Sequence, residues 1–249
     1  MLKLYGHYAS QPTRSVAWLL KMKKTPFEFV TVNPTSGEAR TPEYRKKFPL
    51  GLIPAIEDSE PTPPFALSEA SAILMYLCEK NGWDDFYPTA IRRRAKVHEY
   101  LSHHNESTRM MTRKVIFPTM KWMFAGETRG AGSGASASGV AHLSHGSRDI
   151  ENVKTTIRDV AKRFQHKFLV HENGATSSNY IVEGDTPTIA DLLAYPDIAQ
   201  IPMIMGIDYS EWPELEPLRL WMGRISELPY HDDVHRTVYK IGNMYKSKL

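Results

Sequence analysis

The stretch HYASQPTRSVAWLL, residues 7–20, decides the reading of the fold. It follows the short apolar run LKLYG at residues 2–6, which reads as a strand. Pro12 suits the first turn of a helix, where its missing N–H would lack a partner anyway. Beyond it, Val16, Leu19 and Leu20 recur at helical spacing. The strand therefore hands over to a helix at Ser10. Two readings of Ser10 stay open from these residues. It is a helix-start residue with no chemistry, or it presents a hydroxyl to a ligand. The second reading uses the unpaired N–H groups and positive dipole end of a helix start, which favour an anion or a thiolate.

Outward from this handover the first 80 or so residues continue to alternate between strand and helix patterns. FEFVTVN at 27–33 alternates apolar and polar positions as a half-buried strand does, and TPEYRKKF at 41–48 reads as a short helix. IPAIED at 53–58 is a short strand, and the prolines of PTPPFALS at 61–68 confine any pairing there to a sheet edge. EASAILMYLCEKNG at 69–82 is a helix stopped by Asn81-Gly82, with Ser68 as its expected N-cap. The order is β-α-β-α-β-β-α.

After WDDFYP the pattern turns helical: from Thr89 to about Ala125, through DIENVKTTIRDVAKRFQHKFLV, and again near 214–227 and 230–246. The division expected is an α/β domain over 1–82, a linker at 83–90 and an all-helical domain over 91–249. A Gly/Ser/Ala-rich insert at 126–147 is expected to be a flexible loop. In TPTIADLLAY, Thr188 and Asp191 resemble a capping box with Asp in the usual Glu position.

Bulk properties exclude several function classes. The chain has 249 residues, 41% hydrophobic and 24% charged, and a formal charge of +3, too thin a surplus to argue for nucleic acid or an acidic membrane. The lone cysteine, Cys78, lies in an apolar helical pattern and reads as a buried, inert thiol. The N-terminus shows no signal-like core and no stretch approaches membrane-spanning length, so a cytoplasmic protein is expected. His98 and His103 are five apart, not the four that would put two ligands on one helix face, so no metal site is expected. Arg92, Arg93 and Arg94 read as a solvated helix face.

Three other stretches carry candidate binding groups. In PLGLIPAI at 49–56, Ile53-Pro54 is a candidate cis bond at a strand start. Such a bond leaves the Ile53 backbone groups available to pair with a peptide as an added strand; an ordinary loop-to-strand turn explains it equally. In LSEASAIL at 67–74, Glu69 either favours the helix dipole or binds a ligand ammonium. Arg109, Arg113 and Phe117 recur at helical spacing and are candidates to line a second pocket, or else are ordinary surface and core positions.

Together SQPTR, PLGLIPAI, LSEASAIL and TIADLLAY, in this order, resemble the cytosolic glutathione transferases. The SQP turn, VHEYLSHHNESTR at 97–109 and KVIFP at 114–118 are most similar to the theta class. The resemblance implies a thioredoxin-like N-terminal domain and an all-α C-terminal domain. It implies glutathione as cosubstrate with no other cofactor, small hydrophobic electrophiles, and a homodimer. Carried over position by position, Ser10 is the catalytic hydroxyl. Arg40, Leu52, Ile53, Pro54, Glu69 and Ala70 form the glutathione site. Arg109 falls where the class has an arginine near the active site, and helical spacing adds Arg113 and Phe117 beside it as the expected electrophile pocket. Three positions depart from the family pattern: Ala70 for its usual Ser, Leu52 where theta relatives often carry Lys, and Ala39 where a histidine is common. Losing the hydroxyl at position 70 costs roughly 1.5–3 kcal/mol of contact to a carboxylate. A non-catalytic scaffold on the same fold is the alternative expectation.

Overall fold

The structure is a computed structural model that describes residues 1–34, 36–60, 62–118, 147–170 and 178–246. The first strand, β1 (Leu2–Gly6), leads through a short turn into α1 (Gln11–Met22), which returns the chain to β2 (Phe27–Thr31). β1 and β2 are parallel, with Leu4 beside Phe29, as a helical crossover requires. Next comes α2 (Pro42–Lys47), whose N-cap Thr41 accepts from the Tyr44 backbone N–H at 3.3 Å. β3 (Ala55–Asp58) then runs antiparallel to β1, and β4 (Phe65–Ser68) runs antiparallel to β3 at the sheet edge, giving the order β2-β1-β3-β4. This is a thioredoxin-like sheet unit, closed by α3 (Ala70–Asn81) with Gly82 in the left-handed region as its C-cap.

At α3 the structure departs from the sequence reading. Ser68 is the last residue of β4, and Glu69 is the N-cap, at φ 75°. The strand runs right up to the helix, so one non-glycine residue in an unfavourable backbone region makes the whole reversal.

α1 buries an unbroken run from Thr13 to Leu20, since it lies between the sheet and the helical region. Its Trp18 indole N–H donates to the Pro229 carbonyl at 2.7 Å, and the ring stands edge-on to Tyr195, His231 and His235 at 5.3–5.6 Å. At the end of β1 the backbone approaches α1 so closely that a Cβ on Gly6 would lie 2.4 Å from Thr13 Cγ2.

The rest of the described chain is helical. α4 (Ile91–His103) ends at a break inside the helical stretch that begins near Thr89. Ser107 leaves the helical region at φ −112°, ψ −107°, and the chain restarts as α5 (Arg109–Met111), continued by a π-helical turn over Thr112–Ile116. The break brings His104 and Thr108 to the Tyr100 hydroxyl, at 3.1 and 2.9 Å. α6 (Ser147–Phe168), α7 (Ile189–Gln200), α8 (Glu216–Ser226) and α9 (His231–Lys246) complete the fold. The small-residue insert lies outside the described residues, except that Ser147 opens α6.

α7 is buried on every side, mostly apolar but carrying Asp191, Asp197 and Gln200 into the interior. The capping box predicted at its start is present. Thr188 Oγ1 accepts from the Ala190 N–H at 3.3 Å, and Asp191 Oδ2 accepts from the Thr188 N–H at 2.8 Å. The other Asp191 oxygen accepts from the Ile181 N–H and the Trp221 indole, both at 2.9 Å, so one carboxylate ties a loop, a helix start and α8 together. Pro196 and Pro202 remove donors from this helix, and it continues as a π turn over Ile201–Met205. α9 presses on that turn at Gly242, where a Cβ would lie 2.0 Å from the Met203 carbonyl oxygen.

The arginine run is not a uniform solvated face. Arg94 stacks over the Tyr87 ring, donates to the Pro88 carbonyl at 2.7 Å and pairs with Glu79 at 3.3 Å. Arg93 donates to the Thr186 carbonyl at 3.1 Å, and Arg92 is exposed. These contacts hold α4 against α3 and the entry to α7. Cys78 is buried, and desolvation pushes its thiol up to about 12.

Candidate active site

Strand register gathers most of the candidate residues. β1 ends at Gly6, so the turn to Ser10 leaves the sheet at that end. Tyr5 pairs with Ala55, which puts the start of β3, and Ile53-Pro54 before it, at the same end. Ala55 pairs with Ser68, which brings Glu69 and the start of α3 there as well. One edge of the sheet thus collects the starts of two helices and the approach to a strand.

The turn before α1 is held by its own backbone and by a buried arginine. The Ser10 N–H donates to the His7 carbonyl at 2.9 Å. Arg14, fully buried, donates to the carbonyls of Tyr8 at 2.9 Å, Ala9 at 3.1 Å and, across to α7, Pro196 at 3.1 Å. Burial lowers its guanidinium to about 9. Ser10 is the N-cap residue of α1, in extended conformation (φ −78°, ψ 124°), and its side chain makes no capping hydrogen bond. The residue is half-buried, and the helix start that usually consumes such a hydroxyl leaves it without a capping bond. Arg14, which holds this turn, was not singled out from the sequence. The signal was a cation inside the otherwise small and apolar run that α1 buries.

The Ile53-Pro54 bond is cis, and Ile53 precedes the β3 ladder rather than joining it. Leu52 is 53% exposed, and its carbonyl accepts from the Tyr44 hydroxyl at 2.9 Å. The loop ahead of it folds onto Gly51, at φ 62°, where a Cβ would meet the Ala39 carbonyl oxygen at 2.9 Å. Arg40 ends the exposed single turn Glu38–Arg40. Ala70 is buried at the first position of α3, and Glu69 is exposed.

The helical region reaches this edge through Gln11, next to Ser10. Arg109 Nη1 donates to Gln11 Oε1 at 2.9 Å and lies 3.3 Å from Asp197 Oδ1 on α7. Burial alone would raise the Asp197 carboxyl, but His104, Arg109 and Thr112 together hold it below its ordinary value. The Arg109 guanidinium also lies 5.7 Å from the Phe117 ring centre, and that ring is 50% exposed. Arg113 is exposed. Gln11, Gln200 and Asp197 were not identified from sequence, since their partners lie about ninety or more residues away.

A separate cleft of about 960 Å³ lies between α4 and α6, floored by Met110, Phe164 and Phe168. It shares no lining residue with α1, β3 or α3. Among the described residues there is no group of three or more His, Cys, Asp and Glu side chains that would hold a metal ion, and no helix long and apolar enough to cross a membrane.

Known proteins are similar to this arrangement along the whole chain. The family model for the glutathione S-transferase N-terminal domain matches residues 4–84. Human glutathione S-transferase theta-2 is 28% identical over 225 residues, covering 90% of this chain and 80% of that protein. Chicken glutathione S-transferase theta-1 is 27% identical over 251 residues, covering 91% and 83%. Among solved structures, human glutathione transferase theta-2 in complex with glutathione and an unknown ligand superposes with a TM-score of 0.73. It is 25% identical, covering all of this chain and 91% of that one. The matched N-terminal domain, the sheet unit, the helical region and these relatives together support a theta-like glutathione transferase.

Proposed function

We propose that this glutathione transferase binds glutathione along the sheet edge and uses the Ser10 hydroxyl to hold its sulfur as the thiolate. The observation that carries this reading is that Ser10 occupies a helix start without capping it. Register places Ile53-Pro54 and Glu69 at the same edge. Ile53 would pair with the cysteinyl backbone as an added strand. Glu69 would meet the γ-glutamyl ammonium, and the Ala70 N–H its carboxylate. Arg40 and the Leu52 region would flank the glycine end. The unfavourable φ of Glu69 supports a functional assignment, because backbone strain in a non-glycine residue collects at ligand sites.

The chemistry follows from thiol ionisation. A free thiol with a pKa near 8.5 is about 3% thiolate at pH 7. An O–H donating to sulfur favours the charged form by roughly 1.5–3 kcal/mol, or about one to two pKa units. The start of α1 adds a few tenths to about 1 kcal/mol. Serine keeps its proton throughout. The thiolate attacks a small hydrophobic electrophile lying towards the helical region, where Phe117 offers an exposed aromatic wall and Arg113 an exposed cation. Organic peroxides are a second substrate class open to the same thiolate. A cytoplasmic homodimer is the form proposed by kinship.

The second reading, a non-catalytic scaffold, is favoured by Ala39, the exposed Leu52 and Ala70, which remove side-chain contacts to glutathione. Ser10→Ala separates the two. Conjugation of glutathione to a panel of small electrophiles should fall about tenfold or more, with glutathione binding retained by calorimetry. Equal turnover in the parent and variant would favour the scaffold.

A further inference from the structure

Gln11 follows Ser10 directly, and its carboxamide belongs to a closed ring of five side chains. Gln11 Nε2 donates to Gln200 Oε1, and Gln200 Nε2 donates to Thr112 Oγ1 at 2.6 Å. Thr112 donates to Asp197 Oδ1, Arg109 approaches that same oxygen at 3.3 Å, and Arg109 donates back to Gln11 Oε1 at 2.9 Å. Gln11, Thr112, Asp197 and Gln200 are all buried, and Arg109 is 19% exposed.

The direction of every bond in this ring follows from one charge. An ionised Asp197 only accepts, so the Thr112 hydroxyl must donate to it. Thr112 then has only a lone pair left for Gln200, which must present its NH₂ group. Gln200 Oε1 therefore faces Gln11, whose own NH₂ turns towards it. Gln11 Oε1 is left to face Arg109, which donates and never accepts. Reversing any one amide would set two donors or two acceptors against each other inside a buried site, which is costly.

We infer that Asp197 and Arg109 are positioning residues for Ser10: the ring they polarise clamps Gln11 and so fixes the first turn of α1 that carries the Ser10 hydroxyl. The inference rests on the reading of Ser10 given above. It assigns Arg109 a bridge between α1 and α7, with Asp197 balancing its charge, in place of an open cation for an electrophile's leaving group. It also explains why the helical region matters to chemistry at the sheet edge. Without the ring, α1 would still form, but the Ser10 oxygen would lose its fixed direction, and hydrogen bonds to sulfur depend on direction.

The test titrates bound glutathione in the full-length protein by the ultraviolet absorbance of its thiolate, together with pH profiles of conjugation. Asp197→Asn and Arg109→Lys should each raise the apparent thiol pKa by about one, so that from a starting value of about 6.5 the thiolate fraction at pH 7 falls roughly threefold. The KM for glutathione should stay within about twofold, and the double variant should be no worse than either single one. Arg109→Lys keeps the charge on a shorter side chain, which draws it back from the position of Nη1, the nitrogen that serves both partners. A Lys variant with the parent titration would therefore overturn the inference, as would an effect confined to the KM of the electrophile. Should Asp197→Asn fail to fold by circular dichroism, Arg109→Lys and Gln11→Met decide the matter by the same titration. If Ser10→Ala leaves the titration unmoved, the Ser10 reading falls and this inference with it. If Ser10→Ala moves it and the ring variants do not, the ring inference alone falls.

Discussion

The sheet edge and the helical interior use polar groups in opposite ways. At the edge, the Ser10 hydroxyl caps nothing, Ile53 precedes its ladder, and Glu69 starts α3 with no capping bond. In the interior, Asp191 satisfies both oxygens with the Ile181 and Thr188 N–H groups and the Trp221 indole. Five side chains around Asp197 close a ring. A buried polar group left without a partner is destabilising, so an interior pairs most of what it holds, with His235 Nε2 an exception. An edge open to solvent can leave groups available, because water serves them until a ligand arrives. The contrast separates residues whose loss should unfold the chain from residues whose loss should only slow it.

The sharpest way to break that contrast is Asp191→Ala. It leaves the Ile181 N–H, the Thr188 N–H and the Trp221 indole without their acceptor. A loss of about 3–5 kcal/mol is expected in urea unfolding. A loss below about 1 kcal/mol would mean that the interior tolerates unpaired groups as the edge does. Next in size is Gly242→Ala, where the new methyl would meet the Met203 carbonyl oxygen of the π turn. Overpacking of this kind costs about 1–3 kcal/mol, read as a lower Tm.

His235 sharpens the comparison through pH. It is buried on α9 against Trp18, its Nδ1 lies 2.8 Å from the His231 carbonyl, and its Nε2 has no partner. Burial, then the nearby Arg14 charge and His231, hold its pKa well below the ordinary 6.5. The unfolded chain therefore binds a proton that the folded chain refuses, and stability should decline as pH falls below about 6.5. Denaturation midpoints of the parent and His235→Leu at pH 7 and pH 5 check this. The variant should show the smaller drop, and equal drops would assign the acid sensitivity elsewhere. The smallest stability change is expected at the site itself. Because the Ser10 side chain caps nothing, Ser10→Ala should change unfolding free energy by less than about 0.5 kcal/mol.

Much of the fold was legible in the sequence because its signals are local. Periodicity marked β1, α1 and α3, and Pro12, Asn81-Gly82 and the Thr188–Asp191 pair marked helix ends. Local signals failed where neighbours overrode them. The helical pattern after Thr89 does not show what the break at Ser107 is for, which is contacts among Tyr100, His104 and Thr108. Ser68 resembled a cap by type, yet strand pairing with Ala55 claimed it. The arginine run resembled a solvated face, yet Arg93 and Arg94 each found a partner on another element.

The sequence alone carried the resemblance to the family and the order of elements in the α/β unit, since each is written within a few neighbouring positions. Only the tertiary structure decided that Gln11 meets Gln200, 189 positions away, and that Arg109 faces Asp197. It likewise decided that Arg14 lies under the turn leading to Ser10. A polar side chain carries no mark of its partner in its own neighbourhood. The pairing is chosen by which donors and acceptors packing removes from water together, and that choice exists only once the sheet and the helices have closed on each other.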